Sequence, residues 1–383
     1  MSDKRRILYL SGKRGGFGAM LPTLLRIEAH PALELATVVT DMHLYEAFGA
    51  TVSEVEQWVK VAYRVDMEQR DDSRAGRATA IGTAVRKMVD VVADARPDLA
   101  LVIGDRGEAL AMTIAALNLD VPVAHVQGGD VSGNIDELFR HAITKMSHLH
   151  LVASPSSAAR VRGLGEEPWR IFEVGDPHVD LLVQKAYTPE AVVRERYRVP
   201  PEGGLVVVLQ HAVTGEVDAS GEQMRATLGA VCPLGRRTIV VYPCSDPGYE
   251  GIIRAIREAQ AHPFVSVHRN IPHHDFLGLL AVADVMVDNS SSGLIEAPYV
   301  PLAAVNVGTR QEGRLRAENV LDVPYERDAI AAALDRALHD RAFRARVAGC
   351  RQPFGDGRTC ERITDVLAAV PLGPRLLHKR MTY

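Results

Sequence analysis

Apolar residues along this chain fall in short continuous runs rather than in alternation. RRILYLSG (5–12), LELATVVTD (33–41), DLALVIGD (98–105) and VPVAHVQGG (121–129) are each long enough for one strand. Between them, RATAIGTAVRKMVDVVADAR (77–96), GEALAMTIAALNLD (107–120) and NIDELFRHAITKMS (134–147) carry helical periodicity, and LHLVAS and IFEVGD add two short strands. Apolar strands separated by helices of this length predict parallel βαβ units covered on both faces. The pattern restarts after the polar stretch TPEAVVRERYRVPPEGG (188–204), with LVVVLQH (205–211), TIVVYPCSD (238–246), VSVHRN (265–270), VMVDNS (285–290) and LAAVNVG (302–308). The expected fold class is therefore α/β, as two Rossmann-like doubly wound domains facing across a cleft. Residues 1–187 form the first, 188–204 a linker, 205–365 the second and 366–383 a C-terminal tail.

The length of 383 residues suits two such domains. A net charge of −4, from 44 Lys+Arg against 48 Asp+Glu, excludes a nonspecific nucleic-acid binder and leaves room only for a local basic site. No apolar run approaches the roughly 18 residues that span a bilayer. The ILYL stretch behind the basic N-terminus is too short for a signal peptide. Cys232, Cys244, Cys350 and Cys360 show no C-x-x-C spacing, which suits a reducing cytoplasm and gives no zinc signature.

In doubly wound folds ligands sit at the carboxyl ends of the strands, and polar and glycine residues concentrate there in this chain. NSSSGLIEAP (289–298) places Ser290, Ser291, Ser292 and Gly293 between a strand and a helix start, the local form of an anion site. A plain serine cap accounts for the same residues. Glu296, a turn later, is placed to accept from ribose hydroxyls. SGKRGGFG (11–18) offers Lys13 and Arg14 to a phosphate, though it matches neither GxGxxG nor a P-loop. TDMH ends its strand on His43, and QHAVTGE carries His211 as either a phosphate donor or an acid. GDR (104–106) and QGGDVSGNIDELFRH (127–141) bring Asp105, Arg106, Asp130, Asp136 and Arg140 to one sheet end, a mixture of acids suited to proton transfer at carbon. Asp136 reads equally as an acid in the first turn of a helix capped by Asn134.

Taken in order, GDR, HVQGGD, RHAITKMSHLH (140–150), QHAVTGE, NSSSGLIEAP and NVGTRQEGR (306–314) resemble the hydrolysing UDP-N-acetylglucosamine 2-epimerases of sialic and legionaminic acid synthesis. The resemblance spans residues of about 5–325. It implies a GT-B type fold whose second domain grips the nucleotide. It implies proton removal at C2, elimination of UDP to a glycal, and hydration to the free 2-epimer. It further implies no redox cofactor, no obligatory metal, no nucleic-acid or membrane partner, and a homodimer or homotetramer. On this resemblance Asp105, Asp130, Asp136 and His211 are catalytic. Lys13, Arg14, His43, Arg106, Arg140, His178, Ser290 to Ser292, Gly293, Glu296, Arg310 and Arg314 bind substrate. The chain departs from the family pattern at Lys13, Gly16, Asp130 and His178, mostly in the sugar-side half, so the nucleotide end is expected to be kept and the sugar to differ. A glycosyltransferase or non-epimerising hydrolase of the same fold, and an inactive nucleotide-sugar-binding protein, remain as alternatives.

Overall fold

The computed structural model describes residues 4–202 and 204–382, so Gly203 of the expected linker and Tyr383 of the tail lie outside the described residues. The first sheet has seven parallel strands: β1 Arg5–Ser11, β2 Leu33–Thr40, β3 Val61–Val65, β4 Leu99–Ile103, β5 Val123–Val126, β6 Leu149–Val152 and β7 Ile171–Glu173, in the order β3-β2-β1-β4-β5-β6-β7. The second has six: β8 Leu205–Leu209, β9 Arg237–Val241, β10 Val265–His268, β11 Val285–Asp288, β12 Ala303–Val307 and β13 Val320–Val323, in the order β10-β9-β8-β11-β12-β13. Both sheets are doubly wound, and the strand order reverses beside β1 and β8. Crevices that accept ligands open at these reversals. The central strands are buried on both faces, as β8 is at all five positions, which is why they read as unbroken apolar runs.

Two strands had no such signal. β3 and β13 are edge strands whose residues are largely half-exposed, so their sequences VAYRV and VLDV mix polar and apolar positions. The glycines after β1 also behave differently from a turn. A helix begins at Arg14 and runs to Ala29, so Gly15, Gly16 and Gly18 belong to its first turn and a half. Gly18 is there for clearance: a Cβ on it would lie 2.2 Å from the His273 side chain of the second domain.

The ends of the second half also differ from the sequence expectation. Val193, Tyr197 and Val199, inside the expected linker, are buried in the core beneath the second sheet. Helix Thr359–Ala369 leaves the second domain and packs on helix Arg14–Ala29, placing Ile363, Leu367, Val370 and Leu376 in the core of the first. Beyond it the tail is held, not loose. The buried Arg170 donates to the carbonyls of Leu376 (2.7 Å), Arg375 (2.9 Å) and His378 (3.2 Å), and Lys379 pairs with Glu166 (2.7 Å). The guanidinium groups of Arg170 and Arg375 both lie over the Trp169 ring, at 4.2 and 4.7 Å from its centroid. The motif RHAITKMSHLH serves this strap: Lys145 and His150 both bond Glu166, which meets Lys379.

Leu367 is fully buried in this crossing. Leu367→Ala should therefore cost about 2–5 kcal/mol. The measurement is a urea titration followed by tryptophan fluorescence, since the only two tryptophans, Trp58 and Trp169, both lie in the first half of the chain.

Candidate functional site

The carboxyl ends of the two sheets face one another, and the cleft between them is lined from both sides. Lys13 caps and Arg14 opens the helix after β1, Arg106 comes from the turn after β4, and His178 from the segment after β7. His211, Cys244, Ser290 to Ser292, Glu296 and Arg310 come from the second domain, with Leu209, Val241, Ile271 and Phe276 forming an apolar floor.

The serine turn is built over a buried acid. Asp288, the last residue of β11, is fully buried, and its Oδ2 accepts from Ser290 Oγ (2.6 Å) and from the Gly293 N–H (3.1 Å). Burial pushes the Asp288 carboxyl up to about 7 despite those bonds. Ser290, Ser291 and Ser292 line the cleft, whereas Gly293 does not. Gly293 was expected to offer its amide to a phosphate; that amide is turned inward onto Asp288 instead, and a Cβ there would lie 2.5 Å from the same carboxylate. Glu296 is buried and faces the cleft, and burial raises its pKa.

The expected cations and histidines divide into free and committed groups. Among the described residues, the Lys13 ammonium makes no hydrogen bond or ion pair, and it lines the cleft beside the serine turn. Arg14 lines the cleft but spends its guanidinium on the carbonyls of Tyr242 (2.6 Å), Phe48 (3.4 Å) and Arg269, so it braces the two domains more than it presents a free charge. His43 lies away from the cleft wall. It is buried, with Nε2 on Ser11 Oγ and Nδ1 on Thr51 Oγ1, both at 2.8 Å, and burial lowers it to about 4. Its expected substrate contact gives way to packing, because both ring nitrogens are occupied. His211 accepts from the Cys244 N–H at Nδ1 (3.0 Å), which leaves Nε2–H as the donor of a neutral ring. Burial, with Arg310 and Lys13 nearby, holds it well below the ordinary histidine value.

The three expected acids are each paired with a different arginine. Asp105 is ion-paired with Arg140; burial pushes its pKa up, but Arg140, Lys13, Arg314 and Arg310 outweigh burial and hold it well below the usual carboxylate range. Asp136 pairs with Arg310 (3.2 Å), yet burial and the nearby Asp105 charge raise it. Asp130 accepts from Ser157 Oγ (2.5 Å) and pairs with Arg314 (3.3 Å). The loop holding Asp130 is tight: Gly129 has φ +79°, and a Cβ there would meet the Ser157 carbonyl at 2.4 Å. Asp136 opens on a mainly apolar hollow beside the cleft, with Ile81, Ile135, Phe139 and Pro247. Asp105 and Asp130 sit behind Arg140 and Arg314, so those two arginines, expected to meet substrate directly, are engaged with the carboxylates.

Several residues of the site escaped the sequence reading. Asp246 pairs with Arg106 and is lowered to about 2, where burial is outweighed by Arg106 and Arg310. Asp41 is fully buried and accepts from Ser245 Oγ (2.9 Å), Arg77 (3.0 Å) and Arg106 (3.4 Å). Both acids end strand-like runs, at TDMH and YPCSD, so the strand-end rule applied to every run would have found them. His273 and Phe276 lie in a helix that carried no motif. Among the described residues, no group of three or more His, Cys, Asp or Glu side chains is placed to hold a metal ion.

Comparison with known proteins agrees with this geometry. The family model described as UDP-N-acetylglucosamine 2-epimerase matches residues 25–368. A Legionella pneumophila protein named UDP-N,N'-diacetylbacillosamine 2-epimerase (hydrolyzing) is 36% identical over 99% of this chain and 100% of its own. A UDP-N-acetylglucosamine 2-epimerase of Neisseria meningitidis is 33% identical over 89% of each chain. Among solved structures, the Neisseria meningitidis UDP-GlcNAc 2-epimerase bound to UDP-GlcNAc superposes with a TM-score of 0.79 at 17% identity, covering 94% of this chain and 99% of that one. The Methanocaldococcus jannaschii UDP-GlcNAc 2-epimerase in complex with UDP-GlcNAc and UDP gives 0.78 at 18% identity, covering 94% and 99%. The two facing parallel sheets are the GT-B arrangement of these structures, and the chain belongs to the UDP-N-acetylglucosamine 2-epimerase family.

Proposed function

We propose that the chain is a hydrolysing 2-epimerase, which converts a UDP-linked 2-acetamido sugar into UDP and the free 2-epimer. The observation that carries this reading is the opposed titration of two neighbouring acids, Asp105 held ionised and Asp136 pushed toward its protonated form. Such a pair supplies a base and an acid in one site. Asp105 would take the proton from C2 while the C1–O bond breaks and its electrons pass to the diphosphate. Asp136 would return a proton to C2 on the other face of the glycal, and Asp130 would accept the proton of the water that adds at C1. Lys13, the Nε2–H of His211 and the hydroxyls of Ser291 and Ser292 would hold the diphosphate as charge builds on it, the Ser290 hydroxyl being spent on Asp288. Glu296 would accept from the ribose, and the apolar floor around Ile271 and Phe276 suits a flat base.

The sugar end is shut by Arg310 on Asp136 and Arg314 on Asp130, both reaching across from the second domain. In this reading the sugar enters by exchanging those ion pairs for its own hydroxyl and acetamido groups. The full-length Legionella relative makes UDP-N,N'-diacetylbacillosamine the first substrate to set beside UDP-N-acetylglucosamine.

Incubation with either nucleotide sugar, and no acceptor, should release UDP and a reducing sugar in equal amounts. In heavy water the product should carry one deuterium at C2. UDP release without deuterium would point to simple hydrolysis. A requirement for an acceptor would point to a glycosyltransferase of the same fold.

Asp105→Asn should lower turnover by at least about 10³-fold, because the base is lost, while UDP still raises the melting temperature. Lys13→Ala should weaken UDP binding by about 10- to 100-fold, read by calorimetry, since it removes a cleft cation that, unlike Arg14, is not spent on hydrogen bonds among the described residues.

A further inference from the structure

His178 stands in the cleft wall with Lys13, Ser292 and Glu296, and no step assigned above uses it. Its Nδ1 pairs with Asp176 Oδ1 at 2.7 Å, and its backbone N–H donates to the same oxygen at 3.0 Å. Gln127 Nε2 donates to Asp176 Oδ2 at 2.7 Å, from a residue held at φ +65°. Asp176 is fully buried, so the imidazole is fixed at one nitrogen by a desolvated carboxylate whose two oxygens are both bonded. The other nitrogen, Nε2, makes no hydrogen bond among the described residues. A carboxylate on Nδ1 sets the tautomer and the ring orientation and favours the imidazolium.

We infer that His178, oriented by Asp176, is the acid that protonates the diphosphate as it leaves C1. The inference rests on the elimination proposed above. As the C1–O bond breaks, its electron pair goes to the diphosphate oxygen. His178 Nε2 gives that oxygen its proton and becomes neutral, and it recovers a proton from solvent before the next turnover. The surrounding groups support this role. Burial disfavours the imidazolium, but Asp176 and Glu296 outweigh burial and the nearby Lys13, and His178 titrates above the ordinary histidine value. The other two histidines of the cleft cannot substitute: burial holds His211 well below that value and His273 at about 3, so both are neutral near pH 7. Gln127 carries no charge.

The test compares kcat, KM and pH profiles of UDP release for wild type, His178→Ala, His178→Gln and Asp176→Asn. Because the charged imidazole is the active form, wild-type kcat should fall as pH rises through the His178 pKa. Both His178 variants should lose about 10²- to 10⁴-fold in kcat at pH 7, the span of general acid catalysis, and lose that alkaline limb. Their UDP affinity should stay within a few-fold of wild type, which also shows that they fold. Asp176→Asn should move the limb to lower pH, since the group that raises His178 has lost its charge. Added imidazole should restore part of the rate to His178→Ala, and more at low pH. An active wild type whose His178→Ala keeps both its rate and its alkaline limb would overturn this role alone. A wild type that releases no UDP from either sugar overturns the elimination, and this role with it.

Discussion

The cleft is closed by arginines that reach across it. Arg106 of the first domain ends on Asp246 and Ser245 of the second, and Arg310 and Arg314 of the second end on Asp136 and Asp130 of the first. Arg14 ties the same faces through backbone carbonyls. The side chains of the three ion pairs are largely buried, so each ion has lost most of its water and depends on its partner. Breaking such a pair from one side costs about 3–5 kcal/mol, whereas exchanging one partner for another costs much less. A cleft held this way resists opening into bare solvent but can trade its contacts for an anionic, hydroxyl-rich ligand. Two of these arginines, Arg314 and Arg310, also join Arg140 and Lys13 in holding Asp105 below the usual carboxylate range against its burial.

That arrangement explains why the proposed chemistry needs no charged group to move far. The acids lie behind or against arginines on the sugar side, and the free ammonium and the serine hydroxyls lie on the phosphate side. In the proposed elimination, negative charge leaving C1 would be met by donors already in place, which is the economy of a preorganised site. Asp288 contributes indirectly. By drawing in Ser290 and the Gly293 amide, it shapes the turn from below and leaves Ser291 and Ser292 to face the ligand.

The fold was legible because buried parallel strands must be apolar on both faces, and every central strand of both sheets carries that mark. The edge strands β3 and β13 were not, since half-exposed residues blur the pattern. Rules about strand ends brought most of the cleft residues into view. They failed where a polar residue at a strand end satisfies the structure itself: His43 is consumed by Ser11 and Thr51, and Gly293 by Asp288. Asp41 and Asp246 stand at strand ends too, but their importance comes from partners 65 and 140 residues away along the chain. Local sequence cannot display contacts of that range, nor could it show that helix Thr359–Ala369 returns to the first sheet.

That return has a consequence for how the protein is made. The first sheet is synthesised early, but the side chains of Ile363, Leu367 and Leu376 that complete its core arrive last. Domains generally fold in order of synthesis as they leave the ribosome. Here the leading domain must wait, with an uncovered apolar face on helix Arg14–Ala29, for the time needed to translate the entire second sheet, of order tens of seconds. Until the closing strap is made, the nascent chain carries that apolar face uncovered.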